Sequence, residues 1–229
     1  MTEPRIEISD DPAVAVGELL AEQAARGGTI VLTGGRTPGR AYERAAALQA
    51  DWSEVSLWWS DERCVPPDDG RSNYALARRT LLDRLDDEPE VHRIRGELQP
   101  ADAAGAYDHD LEDVTLDLLL LGVGPDGHVA SLFPGSPQLE VTGRRATSGP
   151  AGLEPWVDRV TLTLPELQSA RRIVVLVTGA DKAEAVARAF GREISRDVPA
   201  SLLRAGGSSL DVYLDSDAAS GLDFDLRSR

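Results

Sequence analysis

"TLDLLLLGVGPDGHVASLFPG", Thr115 to Gly135, decides how this chain is read. Its first part, Thr115–Val123, is an almost unbroken apolar run, the pattern of a strand buried on both faces of a parallel sheet. Its second part contains Gly122-x-Gly124-x-x-Gly127, the spacing of a dinucleotide-binding loop. Such a loop needs glycines that open a helix of several turns, and an acidic residue at the end of the next strand. Here Pro134 stops any helix within about two turns. Gly135 and Pro137 follow it, and Glu140 has no strand ahead of it. The match also falls in the third strand–helix unit, not the first. A nicotinamide or flavin is therefore set aside, and no cofactor is expected. The remaining reading makes His128 the working residue, at the start of a short helix, with Asp126 two residues earlier to fix its tautomer. A neutral imidazole takes a proton from water near neutral pH.

Working outward, short apolar runs alternate with helical patterns. The strands are Thr29–Thr33, Glu54–Ser60, Thr115–Val123, Arg159–Leu164, Arg171–Gly179 and Ser209–Asp215. The helix candidates between them are Pro12–Arg26, Pro38–Leu48, Asn73–Leu85, Ala101–Leu111 and Asp181–Phe190. This alternation predicts an α/β, doubly wound, mostly parallel sheet, Rossmann-like, in a single domain over residues 1–229. Ser136–Val157 reads as a long loop or a small excursion near the site, not a domain boundary, and the polar tail after Asp215 as loose.

Open parallel sheets bind ligands beyond the carboxyl ends of their strands, so the residues just past each strand carry the functional information. After the first strand, Gly34 and Gly35 turn backbone amides inward, Thr37 caps the next helix and Pro38 suits its first turn. Amides at a helix N-terminus hold phosphate, and Arg36 adds a cation. Asp61, Glu62 and Arg63 leave the end of the second strand together, either as solvated loop residues or as site residues ahead of a Pro-rich loop, and Ser72 or Asn73 can cap the helix beyond. Cys64 reads as a packed small residue, and His92 and His109 as surface residues. The chain has a single lysine against 23 arginines. That lysine, Lys182, stands in the first turn of a helix, where the dipole disfavours a cation unless an anion is shared there.

Composition narrows the partners. A net charge of −15 argues against nucleic acid and anionic lipid, which need a basic face. An anionic substrate then requires a pocket with local positive potential. No run of about 18 apolar residues spans a membrane. MTEPRIEISDDP reads as neither signal nor transit peptide. One cysteine forms no internal disulfide and fits a reducing cytoplasm.

Taken together, "TGGRTP", "SDERCVPPDDGRSNY", "GVGPDGHVASLFPG" and "VTGADKAEAVARAF…VPASLLR", spanning Thr33 to Arg204, resemble the 6-phosphogluconolactonases. The resemblance implies hydrolysis of 6-phospho-D-glucono-1,5-lactone to 6-phosphogluconate in the oxidative pentose phosphate pathway. It implies a fold of the deaminase/ribose-5-phosphate isomerase type and no metal. It also implies roles. Gly34, Gly35 and Thr37 amides, Arg63 and Lys182 hold the phosphate. His128 is the general base, Asp126 orients it, and Asp61, Gly124 and Gly127 lie near the site. Arg36 stands where the family usually has serine. The related glucosamine-6-phosphate deaminases carry a glutamate at the position of Phe133 and a tyrosine at that of Arg63, so both departures favour the lactonase. A deaminase-like isomerase and a non-catalytic sugar-phosphate sensor are the alternatives. The oxyanion donors stay open between the Gly124–Gly127 amides and an arginine. The partner is then a small sugar-phosphate lactone, on a monomer or small homo-oligomer.

Overall fold

The computed structural model describes residues 2–223. Its strands are β1 (Arg5–Ile8), β2 (Gly28–Leu32), β3 (Val55–Trp59), β4 (Asp61–Arg63), β5 (Glu90–Val91), β6 (Leu118–Leu121), β7 (Ala146–Gly149), β8 (Arg159–Leu162), β9 (Arg172–Val177) and β10 (Ser209–Leu214). Its helices are α1 (Pro12–Arg26), α2 (Arg36–Leu48), α3 (Asn73–Thr80), α4 (Pro100–Asp110), α5 (Leu164–Ser169) and α6 (Ala183–Phe190). Seven strands form one parallel sheet in the order β1-β10-β9-β6-β2-β3-β5, and β4, β8 and β7 form a small antiparallel sheet. This is the α/β architecture that the alternation of apolar runs predicts.

The apolar run Thr115–Val123 carries β6, the central strand of the large sheet. Leu118 to Leu121 are fully buried, with β2 on one side and β9 on the other. A strand covered on both faces has no solvent side to keep polar, which is why its sequence does not alternate. In α1 the inward residues Val16, Leu20 and Ala24 recur at one helical face. The chain builds β2, β3 and β5 outward in one direction, then returns to β6 and builds β9 and β10 the other way. The order therefore reverses between β2 and β6. At such a switch point the loops after adjacent strands splay apart and leave a crevice.

The structure corrects several local expectations. Asp61–Arg63, left open between solvated loop and site, form β4, paired antiparallel with β8. No helix starts at His128; tight turns run there, closed by a bridge between Val129 and Leu132. The Asn73–Leu85 helix breaks at Leu81 (φ −129°, ψ −71°), whose side chain is fully buried, and resumes as a 3-10 turn at Leu82–Arg84. Of the two readings of Ser136–Val157, it is the small excursion, with a 3-10 turn and β7. Past Asp215 the chain is packed as far as Leu222, with Ala218 and Ala219 buried in a 3-10 turn. The last six residues of that tail lie outside the described range. His92 is not a plain surface residue: its ring stacks on Trp58 at 4.1 Å. His109 is exposed.

Candidate active site

A cavity of about 440 Å3 opens over the switch point. Thr33, Gly34 and Gly35 line it from the end of β2, and Gly122–Pro125 with His128 from the end of β6. The small sheet contributes Asp61, Arg63 and Arg159, and Lys182 closes it from the end of β9.

The glycines of the β6 loop serve the histidine. A Cβ on Gly124 would lie 2.0 Å from His128 Nδ1, so only glycine lets the ring fold back over the chain there. Gly127 takes φ +85°, a left-handed turn that favours glycine. The turn is held by Gly127 N donating to Gly124 O and Gly124 N donating to His128 O. Asp126 accepts twice from the same residue through Oδ1, from the His128 amide at 3.1 Å and against Nδ1 at 2.6 Å. Burial pushes the Asp126 carboxyl up, but the hydrogen bonds and charge of His128 outweigh it and hold the carboxyl below its ordinary value. Phe133 packs on the imidazole with ring centroids 4.6 Å apart.

The small sheet brings buried charge. Glu62 is 3% exposed and accepts four hydrogen bonds: from the amides of Arg63, Asn73 and Tyr74 and from Ser72 Oγ. Two of those amides belong to the free N-terminal turn of α3, so this carboxylate caps the helix from another strand. Burial raises its pKa, and the four donors oppose the rise. Ser72 takes the local cap, its Oγ accepting from Ala75 N. Asp61 accepts from Ser131 Oγ at 2.6 Å and Asn73 Nδ2 at 3.2 Å. Lys182 lies in a 3-10 turn just before α6, with Nζ 3.9 Å from Asp181. Burial lowers its pKa, while Asp181 and Asp126 oppose the fall.

Of the residues singled out from sequence, Gly34, Gly35, Asp61, Arg63, Gly124, His128 and Lys182 line the one cavity. Asp126 and Gly127 stand behind His128. Arg36 is exposed and off the lining. Thr37 also lies off it, its hydroxyl 2.7 Å from that of Thr178, where it ties the β2 loop to the end of β9. The helix cap expected of Thr37 falls instead to Gly35. Sequence reading missed Ser131, Glu154 and Arg159 in the lining, and saw Asn73 only as a cap. Arg159 opens an otherwise ordinary strand, and nothing in its neighbours signals the cavity.

The family model for glucosamine-6-phosphate isomerases/6-phosphogluconolactonase matches residues 9–212. The chain belongs to this family. Within it, the chain is 40% identical to the 6-phosphogluconolactonase of Mycobacterium tuberculosis over 227 residues, 90% of each chain. It is 37% identical to that of Streptomyces coelicolor over 90% of this chain and 87% of the other. Among solved structures, the 6-phosphogluconolactonase of Trypanosoma brucei superposes with a TM-score of 0.87 at 28% identity, covering 97% of this chain and 100% of that one. A monomeric glucosamine-6-phosphate deaminase shares the family fold, at a TM-score of 0.84 and 21% identity over 96% of this chain and 100% of that one.

Proposed function

We propose that this family member hydrolyses 6-phospho-D-glucono-1,5-lactone to 6-phosphogluconate, with His128 as general base on water. The observation that carries this is the Asp126–His128 pair at 2.6 Å, set in a cavity that also presents Arg63 and Lys182. A carboxylate only accepts, so in the neutral ring Nδ1 carries the hydrogen and Nε2 the lone pair. Phe133 against the ring supports lactone hydrolysis over deamination, since it offers no second acid.

The phosphate docks on the Gly34 and Gly35 amides with Arg63 and Lys182, and this remote binding fixes the lactone against His128. Water gives a proton to Nε2 as its oxygen bonds to C1. The resulting oxyanion collapses, the bond from C1 to the ring oxygen breaks, and His128 returns the proton to that oxygen. The lactone is intrinsically reactive, so positioning and one base suffice without a covalent nucleophile.

The test is lactone decay, with the substrate generated in situ and followed with and without catalytic protein. Acceleration lost in His128→Asn supports both the reaction and its base. Decay no faster than the spontaneous rate removes the reaction and leaves a sugar-phosphate sensor. Equal rates for His128→Asn and the wild type remove the base.

A further inference from the structure

The mechanism above leaves Arg159 without work. It opens β8, is 4% exposed, and lines the cavity. Its Nη2 donates to Pro155 O at 2.9 Å and Leu153 O at 3.4 Å. Its Nε and Nη1 have no hydrogen-bond partner among the described residues. A buried guanidinium with idle donors is strongly unfavourable unless an anion meets it.

The neighbouring carboxylates do not meet it. Asp61 is taken by Ser131 and Asn73, and Glu62 by its four donors at α3. The residue directly across the antiparallel pair is another cation, Arg63, whose buried Nε is also without a partner. Burial and then the charge of Arg63 hold Arg159 below the usual guanidinium range. Two arginines thus border one cavity with unmet donors.

Their corner is shared with the glycine turn. A Cβ on Gly34 would lie 2.1 Å from Asn73 Oδ1, and Asn73 Nδ2 donates to Asp61 O at 2.9 Å, at the start of the strand that carries Arg63. The glycine turn and the arginine pair therefore line the same cavity, joined through Asn73. Arg36, the arginine singled out beside that turn from sequence, is exposed and off the lining.

We propose that Arg159, with Arg63, binds the phosphate of the substrate, and that Arg159 is the arginine that Arg36 was expected to be. This rests on the sugar-phosphate reading of the cavity. Through Nη2 the same side chain holds the 150–158 segment, whose Leu153 and Glu154 form part of the cavity wall. A structural role for Arg159 therefore has to be separated from a binding role.

The experiment titrates 6-phosphogluconate and inorganic phosphate calorimetrically into wild type, Arg159→Gln and Arg159→Lys, with steady-state lactone kinetics on the same three proteins. Expected for Arg159→Gln is a loss of about 10- to 100-fold in affinity for both probes, from charged hydrogen bonds removed. KM should rise by a similar factor with kcat within about twofold, the signature of lost ground-state binding. Arg159→Lys should fall between the two and provides the reading if Arg159→Gln does not fold. Unchanged affinities, or a loss confined to kcat, would overturn the proposal. Absence of lactone turnover in the wild type strikes the proposed reaction instead, and the phosphate titration still decides Arg159.

Discussion

The two sheets of this protein treat polarity in opposite ways. In the large parallel sheet, β6 is four buried leucines, and functional groups appear only where the chain turns beyond strand ends. In the small antiparallel sheet the strands themselves carry the charge: all of β4 is ionisable, and β8 opens on a buried arginine. The central strand of the large sheet is buried at no electrostatic cost, and the sheet's buried Asp211 is met by Arg172 on the next strand, so the sheet serves as a frame for turns such as that of His128. The small sheet must answer each buried charge. Glu62 is answered by helix amides and Asp61 by a hydroxyl and an amide, while Arg63 and Arg159, both in the cavity lining, keep buried donors without a partner among the described residues. On the proposed function the difference separates the tasks: turns of the large sheet would supply the proton chemistry, and strands of the small sheet the grip on the anion.

That division can be broken most sharply at His128. Asparagine there should lower kcat by about 10²–10⁴-fold while 6-phosphogluconate still binds, as read by single-turnover kinetics and calorimetry. Loss of binding with kcat preserved would reverse the assignment of the two regions. Next comes Glu62→Ala, which strips the acceptor from three amides and a hydroxyl. Stability should fall by about 3 kcal/mol, and the melting temperature by roughly 6–12 °C, in a thermal scan. An unchanged melting temperature would mean that the small sheet does not need its charges answered.

Lys182→Ala is a smaller change. KM should rise about tenfold with kcat little altered, since the lysine acts on the anion and not on the reacting carbon. A fall confined to kcat would move Lys182 to the proton chemistry. The smallest effect is at Cys64. Burial, then the charges of Asp158 and Glu62, push its thiol up to about 11 from an ordinary 9.0. At pH 8 it should hold about a hundredfold less thiolate than an ordinary cysteine, so maleimide labelling is slow and Cys64→Ser keeps full activity. Rapid labelling at pH 8 would show that this edge of the small sheet is open. The pH dependence of the dyad has a definite sign. Because the folded Asp126 carboxyl sits below its ordinary 3.8, the stability of its ionised form is full above that value and is lost only as pH falls further. An acid limb in activity above pH 4 therefore belongs to another group, and Asp126→Asn should leave that limb present in a rate–pH profile.

What could be read in advance followed this same division. The strands of the large sheet announced themselves because burial on both faces leaves only apolar residues, and α1 matches its expected span of Pro12–Arg26 residue for residue. The glycine spacing around His128 was legible because close approach and a left-handed turn each demand glycine. Asp61–Arg63 were not legible as a strand because three adjacent ionisable residues carry no strand signal. Only pairing with β8, and the α3 amides that Glu62 meets, make them a strand.

The sequence by itself determined five strands of the large sheet, β2, β3, β6, β9 and β10, and the glycine-rich turn that carries His128, since those depend on local periodicity and backbone sterics within a few residues. Tertiary structure alone decided which arginine faces the cavity. Arg36 and Arg159 are equally charged, but one is exposed at the start of α2 and the other is buried beside Arg63, 96 positions away in the chain. Burial and idle donors are properties of the assembled fold, and no neighbouring residue encodes them.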